Sequence, residues 1–175
     1  MRFLVILMIA ATMCGCKGKE RSFLREIEAF VGREIYFSDS LKFCDNGTGI
    51  GEEFFKDARF KIVNYIDTSG CEECKLHLFD WGRLQRSIDT LNLGIKVCFV
   101  VWSNEPEKIE QLSRIHRFNI PIIADTFGVF LKSNPIPEVS GFRTCLVDSC
   151  NRVILVGSPL YNEKLLQLYI EICLQ

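Results

Sequence analysis

Cys71 and Cys74, separated by two glutamates, combine residue types and spacing that suit redox chemistry. They follow an apolar stretch with the composition of a strand and precede a stretch with helical periodicity. At the start of a helix, unpaired backbone N–H groups and the positive end of the helix dipole stabilise a thiolate, the species that attacks disulfides. Because two cysteines on one turn can close a small disulfide, we predict that Cys71 attacks and that Cys74 resolves the mixed disulfide.

The same spacing also occurs in zinc sites and among inert structural cysteines. Zinc normally requires four ligands, and the sequence contains neither a second C-x-x-C nor a pair of histidines at ligand spacing. His77 and His116 lie on predicted helices, where solvated or satisfied positions are expected. The sequence therefore predicts a redox pair with no metal and no other cofactor.

The segments around this pair alternate between strands and helices. The predicted strands cover residues 60–66, 95–102, 121–124, 143–147 and 153–156. The predicted helices cover 20–31, 75–90 (with Leu76, Phe79, Leu84 and Ile88 on the apolar face), a stretch from Ser103 that includes Phe118, and 160–173. Residues 33–38 are predicted to be extended, and 44–51 and 126–137 to be irregular. Alternation requires parallel pairing, and the late hairpin adds antiparallel strands, so we predict an α/β fold with a mixed central sheet covered by helices on both faces.

The N-terminus has the pattern of an export signal. Met1 and Arg2 precede an apolar run over residues 3–13, which is shorter than the roughly 20 residues of a membrane-spanning helix. The sequence around Gly15-Cys16 resembles a bacterial lipobox, and Cys16 is the better lipidation candidate because Gly15 precedes it. We predict a lipoprotein signal over 1–16, a tether and short helix over 17–32, and one domain over 33–175, anchored by its lipid in a bacterial cell envelope and facing the periplasm. The alternative is an ordinary secretory signal cleaved nearby.

The composition limits the remaining possibilities. The 175 residues include 21 basic and 22 acidic side chains, so there is no net positive charge to attract a nucleic acid. Of the 9 cysteines, seven remain after Cys14 and Cys16, and an odd number excludes a framework made only of disulfides. Cys98 and Cys145 are predicted to be small buried hydrophobes, whereas Cys44 and Cys150, in predicted loops, are the better candidates for a second disulfide. Trp81 and Phe79 are predicted to be core residues.

The sequence resembles the thioredoxin-like superfamily, specifically the TlpA/ResA-like thiol-disulfide proteins of bacterial envelopes. The resemblance covers about residues 33–173 and rests on the strand that leads to Cys71-Glu72-Glu73-Cys74, on Thr144-Cys145-Leu146-Val147-Asp148 and on the following segment 151–157. It implies a thioredoxin-like fold in which Cys71 is the nucleophile and Cys74 the resolving cysteine. The implied partners are thiols and disulfides of envelope proteins, together with the membrane that holds the lipid.

Two departures from the family pattern concern the substrate side of the pair. Ser69-Gly70 replaces the usual preceding tryptophan, and Phe142 stands where the family has a cis-proline. The resemblance assigns the substrate-binding positions to Phe142, Arg143 and Thr144. Glu72 and Glu73 oppose the helix dipole and favour a more reducing pair, so we predict a reductase or isomerase of protein disulfides.

Two alternatives remain open. One is a non-catalytic module of the same fold that binds a peptide or a metal ion. The other is a peroxiredoxin-like peroxidase, which is disfavoured because a Thr/Ser-x-x-Cys pocket with a preceding proline is not evident around Cys71.

Overall fold

A mixed β-sheet forms the centre of the fold in the computed structural model, which describes residues 22–44, 58–67, 77–116 and 118–175. Its six strands within these ranges are β1 (Lys42–Phe43), β2 (Phe60–Asp67), β3 (Ile95–Trp102), β4 (Ile122–Ala124), β5 (Thr144–Asp148) and β6 (Val153–Val156). Their order across the sheet is β1-β4-β3-β2-β5-β6. The β2–β3 and β3–β4 pairs are parallel, and the other pairs are antiparallel. The predicted mixed sheet is confirmed.

Helices cover both faces of this sheet. They are α1 (residues 22–30), α2 (Leu78–Asp89), α3 (Pro106–Ile115), α4 (Val129–Ser133) and α5 (Glu163–Cys173), with a short 3-10 turn over Ser140–Phe142. Side chains of α2, α3 and α5 pack with Ile62 and Ile66 of β2 in one core cluster. Side chains of α1 and α4 pack with Val63 and Tyr65 in the other. Because successive residues of a strand point to opposite faces, β2 contributes to both clusters.

Helix α2 packs through a different face from the one that the sequence indicates. Phe79 is 73% exposed, so the prediction that it belongs to the core is wrong, whereas Trp81 is buried as predicted. The buried side runs through Leu78, Trp81, Gln85 and Ile88. Gln85 is tolerated there because its amide accepts a hydrogen bond from Val97 N at 2.9 Å and donates to Ile95 O at 3.4 Å.

The segment 126–137 was predicted to be irregular but contains α4. Asp125 is buried, and its two carboxylate oxygens accept hydrogen bonds from Val129 N at 2.8 Å and Phe130 N at 2.9 Å. These bonds satisfy N–H groups that the first turn of a helix leaves unpaired. The side chain that begins α4 thus lies before the helix, at the end of β4.

Smaller differences occur at the ends of elements. Helix α3 ends at Ile115, which is exposed, and Phe118 is buried beyond the helix rather than within it. Helix α5 begins at Glu163, after Asn162, whose side chain accepts a hydrogen bond from Leu165 N. The two-residue strand β1 was not predicted.

All five described cysteines are free thiols: Cys44, Cys98, Cys145, Cys150 and Cys173. The prediction that Cys44 and Cys150 are candidates for a second disulfide is therefore wrong. Cys44 is buried beside the edge strand β1, whereas Cys150 is exposed in the β5–β6 turn at the other edge of the sheet. Cys98 and Cys145 are buried as predicted and pair with Val63 from the two neighbouring strands. Two strand spacings separate them, about 9.6 Å, which is too far for a disulfide.

No helix within the described ranges is both long and apolar enough to cross a membrane. The predicted export signal and Cys16 lie outside these ranges.

Candidate functional site

A cleft of about 470 Å³ opens where β2 ends. Its floor is the last half of β2, from Asn64 to Asp67, and its walls come from the start of α2, from the segment before β5 and from the loop after β6. The wall residues are His77, Trp81, Gly141, Arg143, Thr144, Ser158, Leu160 and Tyr161. Clefts at the carboxyl ends of parallel strands are the usual ligand sites of open α/β sheets. This cleft is therefore the candidate site.

Cys71 and Cys74 lie in the segment 68–76, outside the described residues. The described residues on either side of that segment are Asp67, at the end of β2, and His77, immediately before α2. Both of them line the cleft. The described chain thus lies at the cleft on both sides of that segment.

The segment before β5 carries the three predicted substrate-binding positions, and the structure separates them. Arg143 and Thr144 line the cleft. Phe142 packs instead against Phe23 of α1, with ring centroids 4.4 Å apart. Arg143 O accepts a hydrogen bond from Tyr65 N at 2.9 Å, and Thr144 Oγ1 donates to Asn64 Oδ1 at 2.9 Å. These bonds hold the segment to the floor of the cleft.

Arg143 supplies the positive charge of the cleft. Its guanidinium Nη1 lies 3.8 Å from an Asp67 carboxylate oxygen, and Nη2 donates to Glu138 O at 3.1 Å. The guanidinium carbon also lies 5.8 Å from the centre of the Tyr65 ring. A guanidinium that lines a cleft stabilises negative charge within that cleft. A reactive thiolate there would need such a cation.

Tyr65 remains protonated at physiological pH. Burial raises the pKa of its hydroxyl to about 12, with smaller contributions from the negative charges of Asp125 and Asp67, while Arg143 acts in the opposite direction. Within the described part of the chain, the Tyr65 hydroxyl and Arg143 Nε have no hydrogen-bond partner. Both atoms are buried, and both belong to groups that can donate a hydrogen bond.

Two residues at the rim have left-handed backbone conformations that side chains other than glycine rarely adopt. His77 has a φ of 43° and Tyr161 has a φ of 61°. Their rings meet edge to face with centroids 6.0 Å apart, and the Tyr161 hydroxyl donates a hydrogen bond to the Asp80 carboxylate. Backbone strain of this kind often accompanies functional sites.

This rim was not predicted from the sequence. The available signal was local: Pro159 marks a turn and Asn162 begins a helix, so Tyr161 occupies the short connection between them. Its pairing with Asp80, which lies 81 positions earlier, depends on the tertiary fold.

Within the described ranges, no group of three or more His, Cys, Asp or Glu side chains is arranged to hold a metal ion.

Comparison with known proteins gives a result for the fold alone. No family model matches the chain, and no curated protein matches it. Among solved structures, it is similar to the bacterioferritin comigratory protein of Xanthomonas campestris, whose alkyl peroxide reduction activity has been examined, with 12% identity, a TM-score of 0.57 and coverage of 76% of this chain and 90% of that one. A cysteine-to-serine mutant of PrxQ from Xylella fastidiosa matches with 11% identity, a TM-score of 0.57 and coverage of 81% and 96%.

A putative thioredoxin from Neisseria meningitidis is also similar, with 12% identity, a TM-score of 0.51 and coverage of 71% of this chain and 79% of that one. At these identities the likeness concerns the course of the backbone. The order and pairing of the six strands, together with these similarities, show that the chain has a thioredoxin-like fold.

Proposed function

We propose that the protein exchanges thiols and disulfides with other proteins of the cell envelope through Cys71 and Cys74, as a member of the TlpA/ResA-like group. The observation that carries this proposal is that Asp67 and His77, the described residues on either side of the C-x-x-C segment, both line the 470 Å³ cleft. A dithiol tied at both ends to one cleft is well placed to meet a substrate bound there.

The exchange proceeds in two nucleophilic displacements at sulfur. The Cys71 thiolate attacks one sulfur of a substrate disulfide, forms a mixed disulfide and releases the other substrate sulfur as a thiolate, which takes up a proton. The Cys74 thiolate then attacks the Cys71 sulfur and releases the second substrate thiol. The substrate gains two electrons, and the protein is left with a Cys71–Cys74 disulfide that an external dithiol must reduce.

The charges around the pair favour reduction or isomerisation over strong oxidation. Glu72 and Glu73 raise the free energy of a neighbouring thiolate, whereas Arg143 at the cleft lowers it. The motif contains two carboxylates, whereas the single cation, Arg143, is shared with Asp67. The balance of charge therefore destabilises the thiolate and favours the disulfide form, which makes the pair reducing.

The test uses reduction of insulin disulfides by the protein in the presence of dithiothreitol. We expect turnover by the wild type and loss of at least 100-fold in Cys71→Ser, whereas Cys74→Ala accumulates mixed disulfides on Cys71. Cys150→Ser is the matched control, because Cys150 is an exposed thiol at the other end of the molecule. Equal turnover in wild type and Cys71→Ser would contradict the proposal. Absence of turnover in both, with retained peptide binding, would favour the non-catalytic binding module.

Peroxide reduction is the second candidate, because the Thr-x-x-Cys part of the peroxiredoxin pattern is present. Thr68 stands three residues before Cys71, although the first proline of the chain is Pro106. In this reaction the Cys71 thiolate attacks a peroxide oxygen, forms a sulfenic acid and releases an alcohol, and Cys74 condenses with the sulfenic acid to give a disulfide and water. Consumption of cumene hydroperoxide that Thr68→Val abolishes, without loss of insulin reduction, would support this candidate. Unchanged consumption in Cys71→Ser would refute it.

A further inference from the structure

Helix α2 carries a second exposed face on the side away from the cleft. Phe79, Arg83 and Arg86 are exposed there, and together they are called the arginine face below. At about 100° per residue, these three positions lie within about 60° of one another around the helix axis. Phe79 lies about 160° from Trp81, which lines the cleft. A molecule bound to the arginine face would therefore approach α2 from the side opposite the cleft.

Two depressions lie along the arginine face. One has a volume of about 240 Å³, lies between α2 and the chain that follows α3, and is lined by Leu78, Phe79, Gly82, Arg86, His116 and Phe118. The other has a volume of about 410 Å³ and is lined by Arg83, Arg86, Ser87 and Thr90. The Arg86 guanidinium lies over Gly82, since a Cβ on Gly82 would be 3.6 Å from Arg86 Nη1. The two depressions therefore meet at Arg86.

The apolar wall of the smaller depression is fixed to the core. Phe118 is buried, and its ring packs edge to face on Phe99 with centroids 5.5 Å apart. Trp81 packs on the same ring at 5.6 Å and so anchors α2 beside it. A volume of 240 Å³ is below the roughly 300 to 1,000 Å³ of small-molecule sites. The depression therefore suits one large apolar side chain rather than a separate ligand.

The two carboxylates of α2 are engaged elsewhere. Asp80 accepts a hydrogen bond from the Tyr161 hydroxyl, at the rim of the cleft. Asp89 accepts one from Gln85 Nε2 at 2.9 Å and lies 3.9 Å from Lys96 Nζ. Both partners lie outside the arginine face, so the helix does not use its own acidic side chains to neutralise that face.

The two guanidiniums remain open to a partner. Neither Arg83 nor Arg86 takes part in an ion pair in the part of the chain that the structure describes. The Arg83 guanidinium lies over the Phe79 ring, 6.0 Å from its centre, which keeps a cation beside an apolar surface. The hydroxyls of Ser87 and Thr90 already donate to Arg83 O at 3.1 Å and Ser87 O at 2.7 Å. A ligand for the larger depression must therefore bring acceptors, and carboxylates match the guanidinium fork.

We propose that the arginine face binds an acidic segment of a partner protein. The segment places an aromatic side chain in the 240 Å³ depression and carboxylates on Arg83 and Arg86. Phe79 and Arg86 are seven residues apart, about 10 Å along the helix, a distance that about three residues of an extended chain cover. An aromatic residue with acidic residues on both sides, all within that length, is the pattern that fits. Arginine and aromatic side chains are also the residues that most often dominate protein interfaces.

The flanking charges favour a narrow peptide over an extended polyanion. Asp80 and Asp89 lie about 60° to either side of the arginine face around the helix axis. A nucleic acid or an anionic bilayer would bring its negative charges close to these carboxylates as well as to the arginines, and the chain as a whole has a net charge of -1. A single acidic segment can lie between the two carboxylates.

The proposal is tested by fluorescence anisotropy with the full chain in a nonionic detergent, without any redox step. The probe is a fluorescein-labelled peptide, Gly-Ser-Asp-Glu-Phe-Glu-Asp-Ser-Gly. One comparison peptide replaces its four acidic residues by the corresponding amides, and the other replaces Phe by Ala. We expect the probe to bind at least tenfold more tightly than either comparison peptide. Equal affinity for all three peptides, or no binding of the probe at about 1 mM, would overturn the proposal.

Variants of exposed residues assign the binding to this face. We expect the double variant Arg83→Gln/Arg86→Gln to lose at least tenfold in affinity for the probe. The matched control, Arg25→Gln/Arg152→Gln, removes the same charge from exposed positions on α1 and between β5 and β6, and should change the affinity less than twofold. Phe79→Ser should lower the affinity for the probe at least fivefold and leave that for the alanine peptide unchanged. Equal losses in the arginine variant and its control would show nonspecific attraction and overturn the proposal.

Two further measurements separate this face from the cleft and from other anions. Backbone amide NMR signals of Arg83 and Arg86 should shift on addition of the probe, whereas that of Thr144, in the cleft, should not. A larger shift at Thr144 would place the probe in the cleft and refute the assignment. Tighter binding to anionic phospholipid vesicles than to the probe, lost in the arginine variant, would also overturn the proposal by identifying a membrane as the partner. These results do not depend on whether the protein reduces insulin.

Discussion

The Tyr161 hydroxyl donates a hydrogen bond to the Asp80 carboxylate and so joins the loop after β6 to the first turn of α2. This bond connects two walls of the cleft across its rim. It also raises the pKa of Tyr161, because the hydroxyl is bonded to a carboxylate, and the phenol remains a donor throughout the neutral range.

We predict that Tyr161→Phe raises the KM for insulin about two- to fivefold and leaves kcat unchanged, since the loss of the bond loosens a substrate wall without altering the dithiol. Asp80→Asn should have the smaller effect, because an amide oxygen still accepts the bond. Steady-state kinetics checks this. Tyr36→Phe, at another exposed tyrosine, is the control, and a lower kcat with unchanged KM would contradict the prediction.

Removal of the Arg143 charge should make the dithiol less reactive near neutral pH. In Arg143→Met the Cys71 thiolate loses a stabilising cation, so its pKa rises and the rate of alkylation by iodoacetamide at pH 7 falls about threefold or more. The pH dependence of alkylation, followed by mass spectrometry, gives this pKa directly. Arg152→Met, in the connection between β5 and β6 at the opposite end of the sheet, should leave the pH profile unchanged.

The hydroxyl of Tyr169 holds the loop that leads to Tyr161. Tyr169 is fully buried on α5, and its hydroxyl donates to Gly157 O at 2.6 Å. Tyr169→Phe leaves that carbonyl without its partner and should lower the free energy of unfolding by about 1 to 2 kcal/mol in urea titrations. Tyr36→Phe should be neutral within the error of the same measurement. A Tyr169→Phe protein as stable as the wild type would show that water replaces the lost donor.

The thiols of the native protein should differ sharply in reactivity. Burial raises the pKa of Cys44 and Cys145 to about 12 and that of Cys173 to about 11, and it also raises the pKa of Cys98 well above its usual value. At pH 8 these four thiols are protonated and shielded, and we expect no alkylation of them within an hour, whereas exposed Cys150 is modified within minutes. Peptide mapping after quenching distinguishes the sites, and unfolding in guanidinium should make all five react.

The same burial predicts a loss of stability in alkali. The pKa of the Cys145 thiol rises from 9.0, the usual value for a solvated cysteine, to about 12 in the folded protein. Above pH 9 the unfolded chain therefore binds fewer protons than the native state, and the free energy of unfolding falls as the pH rises from 9 towards 12. One such thiol contributes up to about 1 kcal/mol per pH unit in that window. Cys145→Val should flatten the decline, whereas Cys150→Ser should not.

The order of the elements could be predicted because strands and helices alternate with clear apolar patterns. Ile95–Trp102 illustrates this, since a nearly continuous apolar stretch is typical of a strand covered on both faces. The buried face of α2 could not be predicted in the same way. Gln85 looks like a surface residue, and only the β3 backbone groups that it bonds make its burial favourable.

Only those parts of the candidate site that have a local sequence signature could be predicted. A cysteine pair at a strand-to-helix junction has a local signature, and so has the hairpin that contains Thr144. The divergence of Phe142 from Arg143 depends on α1, because Phe23 of that helix provides the apolar contact for the Phe142 ring. Likewise, the predicted pairing of Cys44 or Cys150 rested on loop composition, which carries no information about their positions at opposite edges of the sheet.

The segment that follows α1 has a further role at the edge of the sheet. Gly32 N donates to Val153 O and Val153 N donates to Arg33 O, each at 2.8 Å, and Glu34 forms an isolated bridge with Arg152. An open edge strand offers its unpaired backbone groups to any extended chain and is a common starting point for aggregation. Residues 32–35 occupy those groups at the start of β6 and so block that part of the edge to pairing with another chain. Such protection matters most when many copies are concentrated on one surface.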